Sequence, residues 1–120
     1  MGRHAMVELT GCPREVLDDL ELIREAMREA VVVGRGTLLG ECVHRFTPQG
    51  VTVLGLLAES HISIHTWPEH GLAAVDMFSC AEQGAPELAC EFLARKLQAS
   101  GQHIRTIERT ALPAGDDQNT

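Results

Sequence analysis

The chain has 120 residues, 44% of them hydrophobic, which suffices for one domain with a modest core and leaves no room for a second. Its 17 acidic and 10 basic residues give a formal net charge of −7, which argues against a nucleic-acid partner because a phosphate backbone requires a cationic surface. The apolar runs fall far short of the ~20 residues that span a bilayer, and the amino-terminus lacks the basic and apolar regions of a signal peptide. We therefore expect a cytoplasmic protein with no membrane partner.

The amino-terminal third predicts a strand followed by a helix. Residues 3–9 alternate between two faces, with Glu8 on the face opposite Val7. The helix begins at Cys12-Pro13, because proline fits the first helical turn, and the glycines after residue 33 end it. Its apolar stripe recurs at i, i+4, i+7 and i+11 and faces a sheet: Val16, Leu20, Ile23 and Met27.

The middle of the chain predicts four strands in succession. Residues 37–46 and 51–58 form a hairpin around a turn at residues 47–50. Ile62 and Ile64 then alternate with polar neighbours, as a half-buried strand does. Residues 72–80 form the next strand, one face of which carries Ala74, Asp76, Phe78 and Cys80.

The remaining residues predict a second helix and a last strand. The helix covers residues 86–100, is closed by Gly101 and packs four side chains inward: Leu88, Phe92, Leu93 and Leu97. Residues 102–108 alternate as a strand. The polar composition after Thr110 predicts a mobile tail at residues 111–120.

This order of elements predicts the fold class. We expect an α/β protein of the α+β type, a two-layer sandwich in which a mainly antiparallel sheet carries two helices on one face. The opposite face of the sheet then needs cover, which the pairing of two protomers would supply.

Residues 57–71 concentrate groups that can act as nucleophile, base and acid. Ser60 directly follows Glu59, and histidines stand one, five and ten residues further on, at His61, His65 and His70. Glu59-Ser60 falls at or near a break between two strands, where backbone strain can be stored for chemistry. On a regular strand Ser60 and His65 face opposite ways, and a turn at Glu59-Ser60 would free Ser60 to approach His65.

On the pattern alone, simpler interpretations stay open. An isolated Ser-His pair is usually turn or surface polarity, and Cys80 alone would be a small buried side chain. His61, His65 and His70 could bind zinc, but their spacing matches no standard finger or zincin, and the four cysteines form no Cys-x-x-Cys pair. We therefore expect no metal, and cysteines that are reduced thiols instead of a disulfide framework.

Taken together, these segments carry a family resemblance. Glu59-Ser60-His61, followed by Ile-His-Thr-Trp-Pro-Glu at residues 64–69 and Ala-Ala-Val-Asp-Met-Phe-Ser-Cys at residues 73–80, resembles the self-processing segment of bacterial and archaeal S-adenosylmethionine decarboxylases. The resemblance extends upstream to residues 2–4, 14–17 and 44–46. It covers nearly all of the first 110 residues.

The resemblance implies a proenzyme that cuts itself between Glu59 and Ser60. The products are a β chain of residues 1–59 and an α chain of residues 60–120, in which Ser60 has become a covalent pyruvoyl group that forms a Schiff base with the substrate amine. By the same resemblance His65 is the processing residue and Cys80 the proton donor. The family's fold is an α/β sandwich that assembles as a dimer, with active sites built from both protomers.

The resemblance also implies a substrate and the residues that bind it. The expected substrate is S-adenosylmethionine, which would be converted into the aminopropyl donor for spermidine synthesis. Glu69 matches a carboxylate that binds ribose hydroxyls, and Phe46 a position near the adenine. Glu8 and Thr52 align with residues that line the pocket.

Two alternatives remain. Relatives with the same processing segment decarboxylate arginine or ornithine, and this chain has His70 where the family commonly has tyrosine and Ala81 where glycine is common. Phe46 and Glu69 nevertheless favour the nucleoside substrate. The other alternative is a non-catalytic regulatory subunit, against which the presence of Ser60 argues, together with that of His65 and Cys80.

Overall fold

The computed structural model describes residues 2–110. Six strands form one sheet: β1 Gly2–Thr10, β2 Leu38–Arg45, β3 Val51–Leu57, β4 Ser60–Trp67, β5 Leu72–Ser79 and β6 Gly101–Arg109. Three α-helices and one 3₁₀ turn complete the described part of the chain: α1 Arg14–Leu17, α2 Leu20–Val33, the turn Pro68–His70 and α3 Pro86–Lys96. The predicted tail at residues 111–120 lies outside the described residues.

The strands lie in the order β2-β3-β4-β5-β1-β6, and every neighbouring pair is antiparallel. This confirms the predicted fold class, an α+β sandwich with a mainly antiparallel sheet. Helices α2 and α3 pack on one face of it. Among residues 2–110, no helix is long and apolar enough to cross a membrane.

The core lies between the sheet and the helices because the strands alternate. Val7 on β1, Ile64 on β4 and Met77 on β5 point toward the helices and are fully buried. From the other layer, Ile23 and Met27 on α2 meet them. The other face of the sheet, here called the open face, carries the alternate side chains: His4, Met6, Glu8, Cys42, Leu54, Leu56, His61, Ser63, His65, Ala74, Asp76 and Phe78.

The first predicted helix is interrupted in the structure. Asp19 leaves helical geometry and its side chain accepts a hydrogen bond from Leu22 N–H at 3.1 Å, which caps the start of α2. Asp18 accepts a hydrogen bond from Gly50 N–H at 2.9 Å. Aspartate side chains that form hydrogen bonds with nearby backbone groups compete with a continuous helix. The helical period of the apolar residues was therefore predicted correctly, but the prediction of one unbroken helix was wrong.

The second predicted helix also differs at two points. It ends at Lys96 instead of residue 100, since Gln98 adopts a left-handed backbone conformation with φ 58°. Leu88, predicted to pack inward, is 41% exposed, whereas Leu93 and Leu97 are fully buried. Leu88 lies in the first turn of α3.

This difference within α3 yields a test of the core. Leu93→Ala removes a fully buried side chain and should lower the free energy of unfolding by about 2–5 kcal/mol, because a cavity remains. Leu88→Ala makes the same chemical change at a half-exposed position and should cost much less. Urea unfolding of both variants measures the difference, and equal losses would contradict the packing described here.

Candidate active site

A two-residue turn between β3 and β4 presents Ser60. Leu57 pairs with Ser60 across the hairpin, so Ala58 and Glu59 form the turn, one residue earlier than the turn predicted at Glu59-Ser60. Ser60 has a φ of 156°, a value that residues with side chains rarely adopt. The peptide between Glu59 and Ser60 therefore lies at a strained position where β4, a central strand of the sheet, begins.

Two backbone N–H groups donate hydrogen bonds to Glu59, one to its carbonyl oxygen and one to its side chain. The Glu59 carbonyl accepts a hydrogen bond from Cys80 N–H at 3.0 Å, and Thr37 N–H donates to the Glu59 carboxylate at 2.9 Å. The bond from Thr37 lowers the pKa of Glu59 below its usual value. A donor on the Glu59 carbonyl oxygen polarises that carbonyl and would stabilise negative charge developing on it.

The group beside the Ser60 hydroxyl is His61. Ser60 Oγ lies 3.2 Å from His61 Nδ1, and His61 Nε2 lies 3.0 Å from Asp76 Oδ2. His4 Nε2 approaches the same oxygen at 2.7 Å, and the Ser63 hydroxyl donates to Asp76 Oδ1. We call His4, His61, Ser63 and Asp76 the Asp76 cluster.

Asp76 is the charged centre of this cluster. Burial raises the pKa of Asp76, but the hydrogen bonds from Ser63, His4 and His61 together outweigh that effect, and the pKa lies below its usual value. Asp76 is therefore ionised at neutral pH and accepts hydrogen bonds from both imidazoles. Among residues 2–110, His4, His61 and Asp76 are also the group whose geometry could hold a metal ion, with ligand atoms within 4.8 Å of one another. The distances of 2.7 and 3.0 Å to Asp76 are those of ordinary hydrogen bonds.

Four predicted site residues gather at the opposite end of β3 and β4. The Thr52 hydroxyl lies 3.0 Å from His65 Nδ1, and both residues line a cleft of about 380 Å³ together with Phe46 and Glu69. The Phe46 side chain is half exposed, and the Glu69 side chain is also exposed to this cleft. These residues form an aromatic and carboxylate-lined pocket around an imidazole.

Glu8 borders a smaller cavity. His65 and Asp76 line the same cavity of about 180 Å³, and the Glu8 carboxylate is paired with Arg105 at 3.2 Å. Glu8 therefore lies on the open face across Ala74 of β5 from His65.

Cys80 lies at the Ser60 end of the sheet. It follows the last residue of β5, which pairs with Ser60, and it is exposed in a cleft of about 410 Å³. Cys90 and Cys12 are buried, and burial raises the pKa of Cys90 to about 12 and also raises the pKa of Cys12. Exposure at the mouth of a cleft leaves the Cys80 thiol able to exchange protons with a bound molecule.

The predicted site residues therefore fall into two groups within one chain. Ser60 and His65 are five residues apart on β4, about 16 Å at the rise of an extended strand. The predicted turn forms, yet it brings Ser60 to His61 and leaves His65 with Thr52. We call Glu59, Ser60 and Cys80 the cleavage half-site, and Phe46, Thr52, His65 and Glu69 the pocket half-site.

The sequence interpretation did not identify the Asp76 cluster as part of the site. Strand alternation places His4, His61 and Asp76 on one face, and that signal was available. What it does not specify is the register: Ser63 stands directly opposite Asp76 on β5, and Met6 of β1 stands opposite it on the other side.

Comparison with solved structures identifies the class of protein. A crystal structure of the adenosylmethionine decarboxylase from Aquifex aeolicus VF5 matches with a TM-score of 0.86, 35% identity and coverage of 95% of this chain and 94% of that chain. The chain thus has the fold of a carboxy-lyase.

Sequence comparisons specify the family. The model of the S-adenosylmethionine decarboxylase family matches residues 3–110. Over 109 residues, 91% of this chain, it is 48% identical to the S-adenosylmethionine decarboxylase proenzyme of Prochlorococcus marinus strain MIT 9211 and 42% identical to that of Thermotoga maritima, covering 89% and 84% of those proteins. The chain belongs to the S-adenosylmethionine decarboxylase family, which confirms the predicted family and the predicted class of enzyme.

Proposed function

We propose that the chain is a proenzyme that cuts itself between Glu59 and Ser60, and that the mature enzyme decarboxylates S-adenosylmethionine for spermidine synthesis in the cytoplasm. Its relatives are named as proenzymes of that decarboxylase. The observation that carries the proposal is the strained Glu59–Ser60 peptide, with a donor on the Glu59 carbonyl and an imidazole at the Ser60 hydroxyl.

Self-cleavage would convert this peptide into the cofactor in three steps: an acyl shift, an elimination and a hydrolysis. Ser60 Oγ bonds to the Glu59 carbonyl carbon, the carbon–nitrogen bond breaks, and the chain is joined through an ester. Loss of the Ser60 α-proton then expels the Glu59 carboxylate, and water replaces the nitrogen of the resulting dehydroalanine as ammonia leaves. Residue 60 is left as a pyruvoyl group.

The residues around Ser60 fit that group. Its ketone supplies an electrophile for the substrate amine and accepts electron density as carbon dioxide leaves. The Cys80 N–H bonds to the Glu59 carbonyl and Cys80 is exposed, which supports the proposal that its thiol returns a proton to the substrate carbon. In this proposal the pocket half-site binds the rest of the substrate.

The pocket half-site favours a nucleoside over a basic amino acid. Phe46 offers an exposed aromatic face on which adenine can stack, and the Glu69 carboxylate can accept two hydrogen bonds from ribose hydroxyls. Arginine and ornithine have neither an aromatic base nor a ribose. A purely regulatory subunit would need none of Ser60, His65 or Cys80.

We also propose that two protomers pack open face to open face. The cleavage half-site and the pocket half-site lie about 16 Å apart on β4, too far for His65 to serve its own Ser60. A two-fold axis between them would place the partner's pocket half-site over Ser60, and both sites would form at once because such an interface is reciprocal. Leu54 and Leu56 are exposed apolar side chains on the same face, which supports the proposal that a second protomer covers it.

Self-cleavage is tested by intact mass under denaturing conditions. The unmutated protein should give residues 1–59 and a pyruvoyl-blocked 60–120, whereas Ser60→Ala should remain whole because no hydroxyl can attack. Cys80→Ala should still cut but release little carbon dioxide, since its backbone N–H is kept and only the proton donor is lost. An unmutated chain that stays continuous would refute the proposal.

The shared site is tested by mixing two inactive variants. Ser60→Ala and His65→Ala should each remain uncut alone. In a mixed dimer the His65→Ala chain should be cut, because its own Ser60 meets the intact His65 of its partner. A partner carrying both substitutions is the control and should give no rescue, while efficient cutting of His65→Ala alone would contradict the assignment.

Substrate choice is tested by carbon dioxide release from S-adenosylmethionine, arginine and ornithine at equal concentrations. Only the first should be turned over efficiently. Glu69→Gln should lower kcat/KM for it about 10- to 100-fold through loss of charged hydrogen bonds, without slowing self-cleavage. Glu91→Gln, on the exposed side of α3, is the matched control. Preference for arginine or ornithine would replace the proposed substrate within the same chemistry.

A further inference from the structure

The Ser60 hydroxyl contacts an imidazole of the same chain. Ser60 Oγ, His61 and Asp76 form a continuous line of contacts, 3.2 Å from oxygen to Nδ1 and 3.0 Å from Nε2 to Asp76 Oδ2. An ionised carboxylate can only accept a hydrogen bond, so the His61 ring proton belongs on Nε2. The lone pair of Nδ1 then faces the Ser60 hydroxyl.

Several contacts fix the His61 ring in this orientation. Asp76 is held from three strands, by Ser63 of β4 and by His4 of β1 in addition to its own position on β5. The rings of His4 and Phe78 lie 5.8 and 6.3 Å from the His61 ring, centroid to centroid. A side chain tied at its far nitrogen and flanked by two rings has little freedom to leave Ser60.

We infer that His61 is the catalytic base for the first step of self-cleavage and that Asp76 and His4 are positioning residues for it, an inference that rests on the proposed function. His61 Nδ1 takes the Ser60 hydroxyl proton as Oγ bonds to the Glu59 carbonyl carbon. The same proton is then delivered to the Ser60 nitrogen as the carbon–nitrogen bond breaks. No proton is gained or lost overall, and the Cys80 N–H holds the carbonyl oxygen during the step.

His61 and His65 have different roles in this proposal. His65 is tied to Thr52 and lies about 16 Å from Ser60 along β4. Among residues 2–110 of an isolated protomer, only the His61 imidazole contacts the Ser60 hydroxyl, so the amide-to-ester shift does not wait for the second protomer. The processing role proposed for the partner's His65 then belongs to a step after the ester has formed.

The test measures the first-order rate of self-cleavage by intact mass. His61→Ala should slow cleavage by about 100-fold or more, the usual contribution of a general base, and Asp76→Asn should slow it at least tenfold because the amide can turn the His61 ring to the wrong tautomer. His103→Ala, an exposed histidine on β6, is the matched control and should cut at the unmutated rate. Circular dichroism and urea unfolding establish that the variants are folded.

Added imidazole distinguishes a base from a structural residue. It should restore a measurable part of the rate to His61→Ala, where it can enter the vacated space, and none to Ser60→Ala. Unchanged cleavage in His61→Ala, or slow cleavage without rescue in the folded variant, would overturn the inference while leaving the proposed function intact. An unmutated chain that never cuts would overturn both.

Discussion

The hydrogen bond from Cys80 N–H to the Glu59 carbonyl is the contact on which the site depends. At 3.0 Å it joins the turn after β3 to the residue after β5, so it closes the end of the three central strands. The same bond holds the Cys80 backbone against the Glu59 carbonyl and polarises the one peptide whose cleavage the proposed chemistry requires. In the proposed chemistry, this single backbone contact would orient the peptide to be cut and would also fix the backbone position of the proposed proton donor.

The strand order explains how a chain can be cut in the middle of its sheet and stay assembled. β3 would lie in the first fragment and β4 in the second, yet they remain paired from Thr52 to Leu57. β1, also in the first fragment, is inserted between β5 and β6 of the second. Three antiparallel ladders and a common core would therefore hold the two fragments together. Cleavage would release the local backbone strain at Ser60 without breaking any of these ladders.

Much of the fold could be predicted from alternation and helical period, because each strand and helix buries one face. The break in the helix at Asp19 could not be predicted in this way, because it depends on whether the Asp19 side chain accepts a hydrogen bond from the backbone or from water. The resemblance named candidate site residues one by one, but it did not predict how the fold groups them. Ser60 and His65 were expected to approach each other around the turn, and the distance along β4 separates them. The contact between His4 and Asp76, 72 residues apart, requires a strand order that no local pattern contains.

The open face is prepared to be covered without leaving a charge unsatisfied. Removing water from an ionised carboxylate is unfavourable unless hydrogen bonds replace the lost solvation. Asp76 already accepts hydrogen bonds from Ser63, His4 and His61. Glu8 is paired with Arg105. Burial of the exposed side chains of Leu54 and Leu56 would be favourable. Among residues 2–110, no buried side-chain nitrogen or oxygen lacks a partner. A second copy packed on this face would therefore exclude water from Ser60 while the carboxylate that orients His61 keeps its charge, which is the condition under which an imidazole can activate a hydroxyl group.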